Sequence, residues 1–279
     1  MIAVVDACTI LNLLQSVFDG KYIEHLQRLF DQIVIHPKVF EEVNDNKYDN
    51  LYAKEKSELA KLKDDLDNLI SSYIPQFTTY EDVDEFCGFL KTVTKYTKDN
   101  GEFYSIALSL YLSRMGEIKL NENVLKTCFV SDDDIAKDDF GDFVRINQIG
   151  QFLDSIDIVI LCYLKEYISK KEILNFCISL KALYNSKISP LIDEIETMRK
   201  IRDSPPIQHT LSTLSEYIKN NDVLKLRELE RDPNVVKIKR AEKKFAQLFG
   251  DFLESDIGVK IKYIDDRQKA IENDHVWKI

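Results

Sequence analysis

The sequence predicts an α/β domain in which helices flank a parallel sheet, followed by a mostly helical C-terminal extension. Over residues 1 to 190, short β-branched runs alternate with amphipathic stretches, the pattern of repeated strand and helix units that build a parallel sheet. Residues 191 to 279 show helical spacing, apart from one candidate strand at 259 to 264. We therefore place one domain at residues 1 to 190, with a helical insertion at about 44 to 100, and a helical appendage at 191 to 279.

The elements of the first domain follow in order. Candidate strands lie at residues 2 to 5, 32 to 36, 126 to 131 and 142 to 146. Helices are expected around residues 11 to 14, at 22 to 30, and from Pro37, because proline suits a first helical turn. A polar insertion at 44 to 72 carries leucines at helical spacing. Asn100 and Gly101 precede a strong helix at 102 to 114, and from Gln148 onward the pattern predicts helix.

The composition is that of an acidic globular protein. The net charge is -10, which argues against a protein that coats duplex DNA through bulk electrostatics. Residues 1 to 195 carry -12, with 21 Lys and Arg against 33 Asp and Glu, and the remainder carries +2. No apolar stretch approaches the ~20 residues that a membrane span requires, and no leader pattern precedes the first strand. A cytoplasmic location with no membrane partner is therefore expected.

Acidic residues stand at four places where a predicted strand ends or a helix begins: Asp6, Glu42, Glu102 and the run 132 to 134. Taken singly, each has a plainer explanation, as a helix cap, a group favoured by the helix dipole, or part of a solvated loop. Taken together, they are placed to meet at the carboxyl ends of parallel strands. Converging carboxylates repel one another unless a cation lies between them. Oxygen ligands suit Mg²⁺ or Mn²⁺ rather than zinc, and no Cys or His cluster is present.

Four segments carry a resemblance to a known family. In order they are Val-Val-Asp6-Ala-Cys-Thr9-x-x-Asn12, Val39-x-x-Glu42-Val43, Asn-Gly101-Glu102-x-x-x-Ile-Ala-Leu and Val-Ser131-Asp132-Asp133-x-x-Ala136-Lys137. Over about residues 1 to 190 they resemble the PIN-domain nucleases, and are most similar to a prokaryotic branch. The later segment at 147 to 153 resembles the glycine-containing entry to a further helix in that branch.

The resemblance implies a PIN-like fold and a metal-dependent endoribonuclease that hydrolyses phosphodiester bonds of single-stranded RNA. The implied catalytic residues are Asp6, Glu42, Glu102, Asp132 and Asp133. The implied Mg²⁺ or Mn²⁺ ligands are Asp6, Glu102, Asp132 and Asp133, with the choice among 132, 133 and 134 left open. Thr9, Asn12 and Ser131 would orient ligands or water. The prokaryotic relatives also imply a toxin or defence effector, with an antitoxin or defence-system protein as partner.

Other interpretations of the chain stay open at this point. The acidic positions could be vestigial in a non-catalytic RNA- or protein-binding module, or the nuclease could act on DNA. A basic cluster, Lys237, Lys239, Arg240, Lys243 and Lys244, could contact nucleic acid, with Phe245 stacking on bases, or could be the polar face of an ordinary helix. Apolar helices expected at 150 to 185 either bury internally or form a homo-oligomer.

Overall fold

The computed structural model describes residues 1–14, 22–50, 80–94, 96, 98–120, 127–255 and 257–276. The strands are β1 (Ile2–Val5), β2 (Gln32–Val34), β3 (Thr127–Val130) and β4 (Gly150–Leu153). The first eight described helices are α1 (Ala7–Leu14), α2 (Tyr22–Leu29), α3 (Pro37–Asn50), α4 (Tyr80–Val93), α5 (Gly101–Leu120), α6 (Asp134–Ile146), α7 (Ser155–Leu164) and α8 (Lys170–Ile201). They are followed by α9 (Pro205–Lys219), α10 (Val223–Leu229), α11 (Pro233–Ala241), α12 (Lys243–Glu254) and α13 (Ile257–Glu272).

The four strands form one parallel sheet in the order β2-β1-β3-β4. Ala3 pairs with Ile33 on one side and with Cys128 on the other, so β1 lies between β2 and β3. Every residue of β1 and β3 is buried, which is typical of a parallel sheet covered on both faces. The predicted mixed α/β architecture, a parallel sheet flanked by helices, is confirmed. Parallel strands bring their carboxyl ends to one edge, where Asp6 and Ser131 follow β1 and β3.

The long helix after Gly101 supplies much of the core beside this sheet. Phe103, Ile106, Leu110 and Tyr111 are each at most 4% exposed, which confirms the predicted apolar stripe of α5. The helix predicted at 22 to 30 and the strands predicted at 2 to 5, 32 to 36 and 126 to 131 are also confirmed, with ends that move by at most two residues. Of the predicted insertion at 44 to 72, residues 44 to 50 form the end of α3, and residues 51 to 72 lie outside the described residues.

The prediction of a strand at residues 142 to 146 is wrong. Residues 142 to 146 belong to α6, whose buried positions Ala136, Phe140 and Val144 follow a helical period. The strand is instead β4, in a stretch predicted to be helical. Gly150 explains its position, because a Cβ there would lie 1.7 Å from the Thr127 carbonyl oxygen. The glycine therefore permits the close pairing of β4 with β3.

Two compact units divide the chain, Met1–Phe176 and Cys177–Ile279. The first contains the sheet, and the second consists of helices within its described part. The candidate strand at 259 to 264 is wrong, because those residues lie within α13. Residue 190, where the sequence placed the domain boundary, lies within the continuous helix α8. Across the described ranges, no helix has both the length and the apolar character that crossing a bilayer requires.

Candidate active site

Asp6 leaves β1 at the carboxyl edge of the sheet and is only 1% exposed. Its amide donates to the Val130 carbonyl at 3.0 Å, and its carbonyl accepts from Ile10 at 3.1 Å, so the residue joins the strand to α1. Ser131 follows β3 at the same edge. Its hydroxyl donates to Asp6 Oδ2 at 3.0 Å and accepts from the Asp133 amide at 3.1 Å. Ser131 therefore connects two of the predicted acids.

Glu102 reaches the same place from the first turn of α5 and is 6% exposed. Two side chains hold its Oε2: the Tyr96 hydroxyl donates at 2.7 Å and the Asn100 amide at 3.2 Å. Asn100 also caps the helix, since its Oδ1 accepts from the Phe103 amide at 3.2 Å. The capping residue of α5 thus fixes the carboxylate that follows it.

Asp6, Glu102 and Asp133 form what we call the acid cluster. Burial is the main cause that raises the pKa of Glu102 to about 8, followed by a hydrogen bond with the Asp133 side chain and the charges of Asp6 and Asp133. Burial likewise raises the pKa of Asp6 to about 7; the Ala7 amide and Ser131 oppose the rise, and the charges of Glu42 and Asp133 add to it. A hydrogen bond between two carboxyl groups needs a proton on one of them. The hydrogen bond between Glu102 and Asp133 therefore forms while one of these two carboxyl groups is protonated.

Glu42 acts on the cluster through its charge, but its own contact is with the start of α5. Its Oε1 accepts a hydrogen bond from the Gly101 amide at 2.7 Å. A Cβ at residue 101 would lie 2.5 Å from Glu42 Oε2 and 3.0 Å from Val39 Cγ2. Only glycine leaves room for a carboxylate at this helix start, where the dipole favours negative charge.

Asp132 is directed to a different helix from its neighbour Asp133. Its Oδ1 accepts from the Ser155 hydroxyl at 2.7 Å and from the Ser155 amide at 3.2 Å, at the start of α7. The Thr9 hydroxyl lies beside it and opposes the rise in its pKa, although neither Thr9 Oγ1 nor Asp132 Oδ2 makes a hydrogen bond of standard geometry. Burial raises the pKa of Asp132, and the nearby charge of Asp154 raises it further.

The structure therefore sorts the predicted site residues into two sets. It brings Asp6, Glu102 and Asp133 together, with Glu42 close enough for its charge to act on Asp6. Asp132 instead binds the start of α7. Of the residues predicted to orient ligands or water, Ser131 contacts Asp6, Thr9 lies beside Asp132, and Asn12 is buried on α1.

Tyr96 and Ser155 were missed on the sequence, and no local pattern marks either one. Asn100 was also missed as a functional residue. It carried a recognisable signal, because an asparagine before a helix start is a typical cap.

The donor set fits Mg²⁺ or Mn²⁺ in kind, since it consists of carboxylate oxygens. Asp6 Oδ1 is enclosed and makes no hydrogen bond of standard geometry, which leaves one buried acceptor for a cation. The arrangement is not that of a preformed site: within the described ranges, no three His, Cys, Asp or Glu side chains stand in metal-ligand geometry. A cation would have to compete with protons for Asp6 and Glu102, whose pKa values are raised, and draw the carboxylates together.

The predicted basic cluster lies on α11 and α12, in the unit Cys177–Ile279. The expectation that Phe245 stacks on bases is wrong. Its ring is 0% exposed and stacks on Phe249 in the core of this unit, with 5.4 Å between ring centroids.

Comparisons with protein-family models, with curated proteins and with solved structures find no match to this chain.

Proposed function

We propose that this protein is a metal-dependent phosphodiesterase of PIN type that hydrolyses single-stranded RNA. The observation that carries the proposal is the acid cluster, in which carboxyl groups from three distant parts of the chain meet at the carboxyl edge of a parallel sheet. Ligands gather at this edge in open α/β sheets. Buried carboxyl groups with strongly raised pKa values, such as Asp6 and Glu102, cluster at functional sites, where catalysis needs shifted pKa values.

In this proposal Asp6, Glu102 and Asp133 hold Mg²⁺ or Mn²⁺. When bound, the metal lowers the pKa of a coordinated water and neutralises charge on the phosphate during in-line displacement. The protein supplies orientation: Ser131 fixes Asp6, and Tyr96 and Asn100 fix Glu102. Asp6 and Glu102 must release their protons when the cation enters, so binding is expected to strengthen as pH rises.

Replacing Asp6 by Asn tests the proposal, because the amide keeps the shape and removes the charge. We expect Mn²⁺-dependent cleavage of single-stranded RNA to fall at least about a hundredfold, the upper end of the loss seen when residues around a metal site are changed. We also expect Mn²⁺ to raise the Tm of the wild type and to leave that of the variant unchanged. Asp142→Asn is the matched control, since Asp142 is an exposed acid of α6 paired with Arg145. Cleavage retained by Asp6→Asn would defeat the proposal.

A non-catalytic RNA- or protein-binding module is the second candidate. The observation that favours it is the absence, among the described residues, of a preformed group of metal ligands, together with the raised pKa values of Asp6 and Glu102. Under this alternative, millimolar Mn²⁺ leaves the Tm of the wild type unchanged while RNA or a protein partner still binds. If cleavage is observed, a parallel assay on RNA, single-stranded DNA and branched DNA separates the RNA substrate from a DNA substrate.

A further inference from the structure

The basic cluster on α11 and α12 divides into cations that serve the fold and cations that do not. Lys239 Nζ pairs with Glu230 Oε1 at 2.8 Å and lies over the Phe249 ring. Lys244 Nζ pairs with Glu194 Oε2 at 2.5 Å. These two lysines connect elements within the unit Cys177–Ile279 and so have a structural role.

Lys237, Arg240 and Lys243, which we call the basic surface, have no such role. All three are exposed, and none forms an ion pair with another described residue. Lys237 and Arg240 are three residues apart on α11, so they lie on one side of that helix. Lys243 is the first residue of α12, where the helix dipole disfavours positive charge.

Glu242, the acid that stands between these cations in sequence, is already engaged. Its carboxylate binds Arg202 and makes no side-chain cap to α12, whose first turn contains no acidic residue. The unfavourable position of Lys243 is therefore not offset by an acid in that turn. Residues that violate a local stability preference without compensation are expected at functional sites. An anion bound at the basic surface would supply the missing compensation.

The cations and the aromatic rings of α11 and α12 indicate the chemical class of the ligand. The basic surface offers three cations on adjacent helices, and arginine and lysine are the usual contacts to phosphate oxygens. The two described helices that carry this surface offer no exposed ring, because their aromatic residues, Phe245, Phe249 and Phe252, are buried. Bases therefore have no ring on α11 or α12 to stack on, and the attraction there is to a repeated negative charge.

We infer that Lys237, Arg240 and Lys243 bind the phosphodiester backbone of a single-stranded nucleic acid, without selecting among bases. The inference rests on the proposed function and adds to it a second contact with the substrate strand. Because the contacts are purely electrostatic, oligo-uridine and oligo-thymidine are expected to bind alike, and selection of RNA must come from elsewhere in the protein.

The test measures binding of fluorescent oligo-uridine to the full chain in EDTA, where metal-dependent cleavage is absent. The variant Lys237→Gln/Arg240→Gln/Lys243→Gln removes three charges without adding repulsion. We expect its affinity at 50 mM salt to fall at least about tenfold, and the slope of log affinity against log salt to become shallower by about 2, since each contact on a single strand contributes about 0.7. Oligo-thymidine is expected to show the same changes.

The matched control is Lys219→Gln/Lys262→Gln/Lys269→Gln, which removes three exposed lysines of α9 and α13. It has the same net charge as the variant and is expected to keep the wild-type slope. Equal losses in both triple variants, or no loss in the first, would overturn the inference. Binding of polyglutamate but not of oligo-uridine would overturn it too, in favour of an acidic protein partner. The two proposals can fail separately. If Asp6→Asn abolishes cleavage while the variant of the basic surface binds oligo-uridine as the wild type does, the proposed nuclease function stands and the inference about the basic surface is wrong.

Discussion

Two sets of acids lie near the carboxyl edge of the sheet, and they differ in the groups that surround their carboxylates. Glu42 and Asp132 accept hydrogen bonds from amides that begin helices, those of Gly101 and Ser155. In the acid cluster, Asp6, Glu102 and Asp133, burial and the negative charge of neighbouring carboxyl groups instead raise the pKa of Asp6 and of Glu102. Both sets are acidic residues beside helix starts, so sequence position alone does not distinguish them.

The difference lies in what the fold gains from each set. An amide at a helix start stabilises a carboxylate by hydrogen bonding and through the helix dipole. Burial raises the pKa of Asp132 as well, but the two hydrogen bonds from Ser155 oppose that rise. In the acid cluster the charged forms are unfavourable until a cation arrives. The hydrogen bonds of the first set therefore contribute to folding, although burial still raises the pKa of Asp132 on balance, and ionisation of Asp6 and Glu102 is expected to reduce stability.

The largest expected effect is on the pH dependence of stability without metal. Asp6 and Glu102 have folded pKa values of about 7 and 8, above their ordinary values of 3.8 and 4.5. Between the ordinary and raised values the folded state binds more protons than the unfolded state, so stability falls as pH rises. We expect a loss of roughly 2 to 3 kcal/mol between pH 6.5 and 8, measured by urea unfolding in EDTA.

The pH window is chosen because of His36. Burial lowers the pKa of His36 to about 4, so this residue increases stability mainly as pH rises to about 6.5 and adds only about 0.4 kcal/mol above that. The double variant Asp6→Asn/Glu102→Gln is the control and is expected to show a flatter profile from pH 6.5 to 8. Burial also raises the pKa of Asp132, but this residue is present in both proteins, so the difference between the two profiles reports on Asp6 and Glu102. A wild-type stability that stays constant or increases over this window would show that the acid cluster does not ionise there.

Asp6, Glu102 and the run at 132 to 134 were predictable because each is tied to a local signal, a strand end or a helix start. Glu42 was also predicted at a helix start, but it lies in the second turn of α3, whose first turn contains no acidic residue. Which of the neighbours Asp132 and Asp133 joins Glu102 was not predictable. That choice depends on Ser131, whose hydroxyl accepts a hydrogen bond from the Asp133 amide, and on Ser155, the first residue of α7, which follows α6 and β4 in the chain. Tyr96 was missed for a similar reason, since its bond to Glu102 depends on how the chain enters α5.

The fold shows the same limit at β4. The pattern of β1 and β3 was recognised because central strands are continuous apolar runs. The edge strand β4 is as short as β1 and β3 but is partly exposed, so its pattern does not differ from that of a helix. The deciding feature is the contact between residue 150 and the Thr127 carbonyl, which becomes visible only when the two strands are paired.

The second prediction compares the two sets directly at pH 8. Asp132→Ala leaves the Ser155 amide and hydroxyl without their acceptor, so we expect a loss of about 2 kcal/mol in the free energy of unfolding. Glu102→Gln keeps an oxygen for Tyr96 and removes a buried charge, so we expect unchanged or higher stability. Asp132→Asn, which also keeps an acceptor, should lose less than Asp132→Ala. If Glu102→Gln were the more destabilising change in urea unfolding, the distinction between the two sets would be wrong.

The prediction with the smallest expected effect tests whether the contact of Glu42 with the start of α5 requires glycine at position 101. An added Cβ at Gly101 would push Glu42 away from the amide that it caps, and we expect Gly101→Ala to cost about 1 kcal/mol, the usual value of a lost cap. Gly141, inside α6, is the matched control because a Cβ there meets nothing within 4 Å. Gly141→Ala is expected to gain about 0.5 to 1 kcal/mol, the ordinary benefit of alanine in a helix. Thermal unfolding of both variants gives the comparison, and equal stabilisation by both would mean that Glu42 moves aside at no cost.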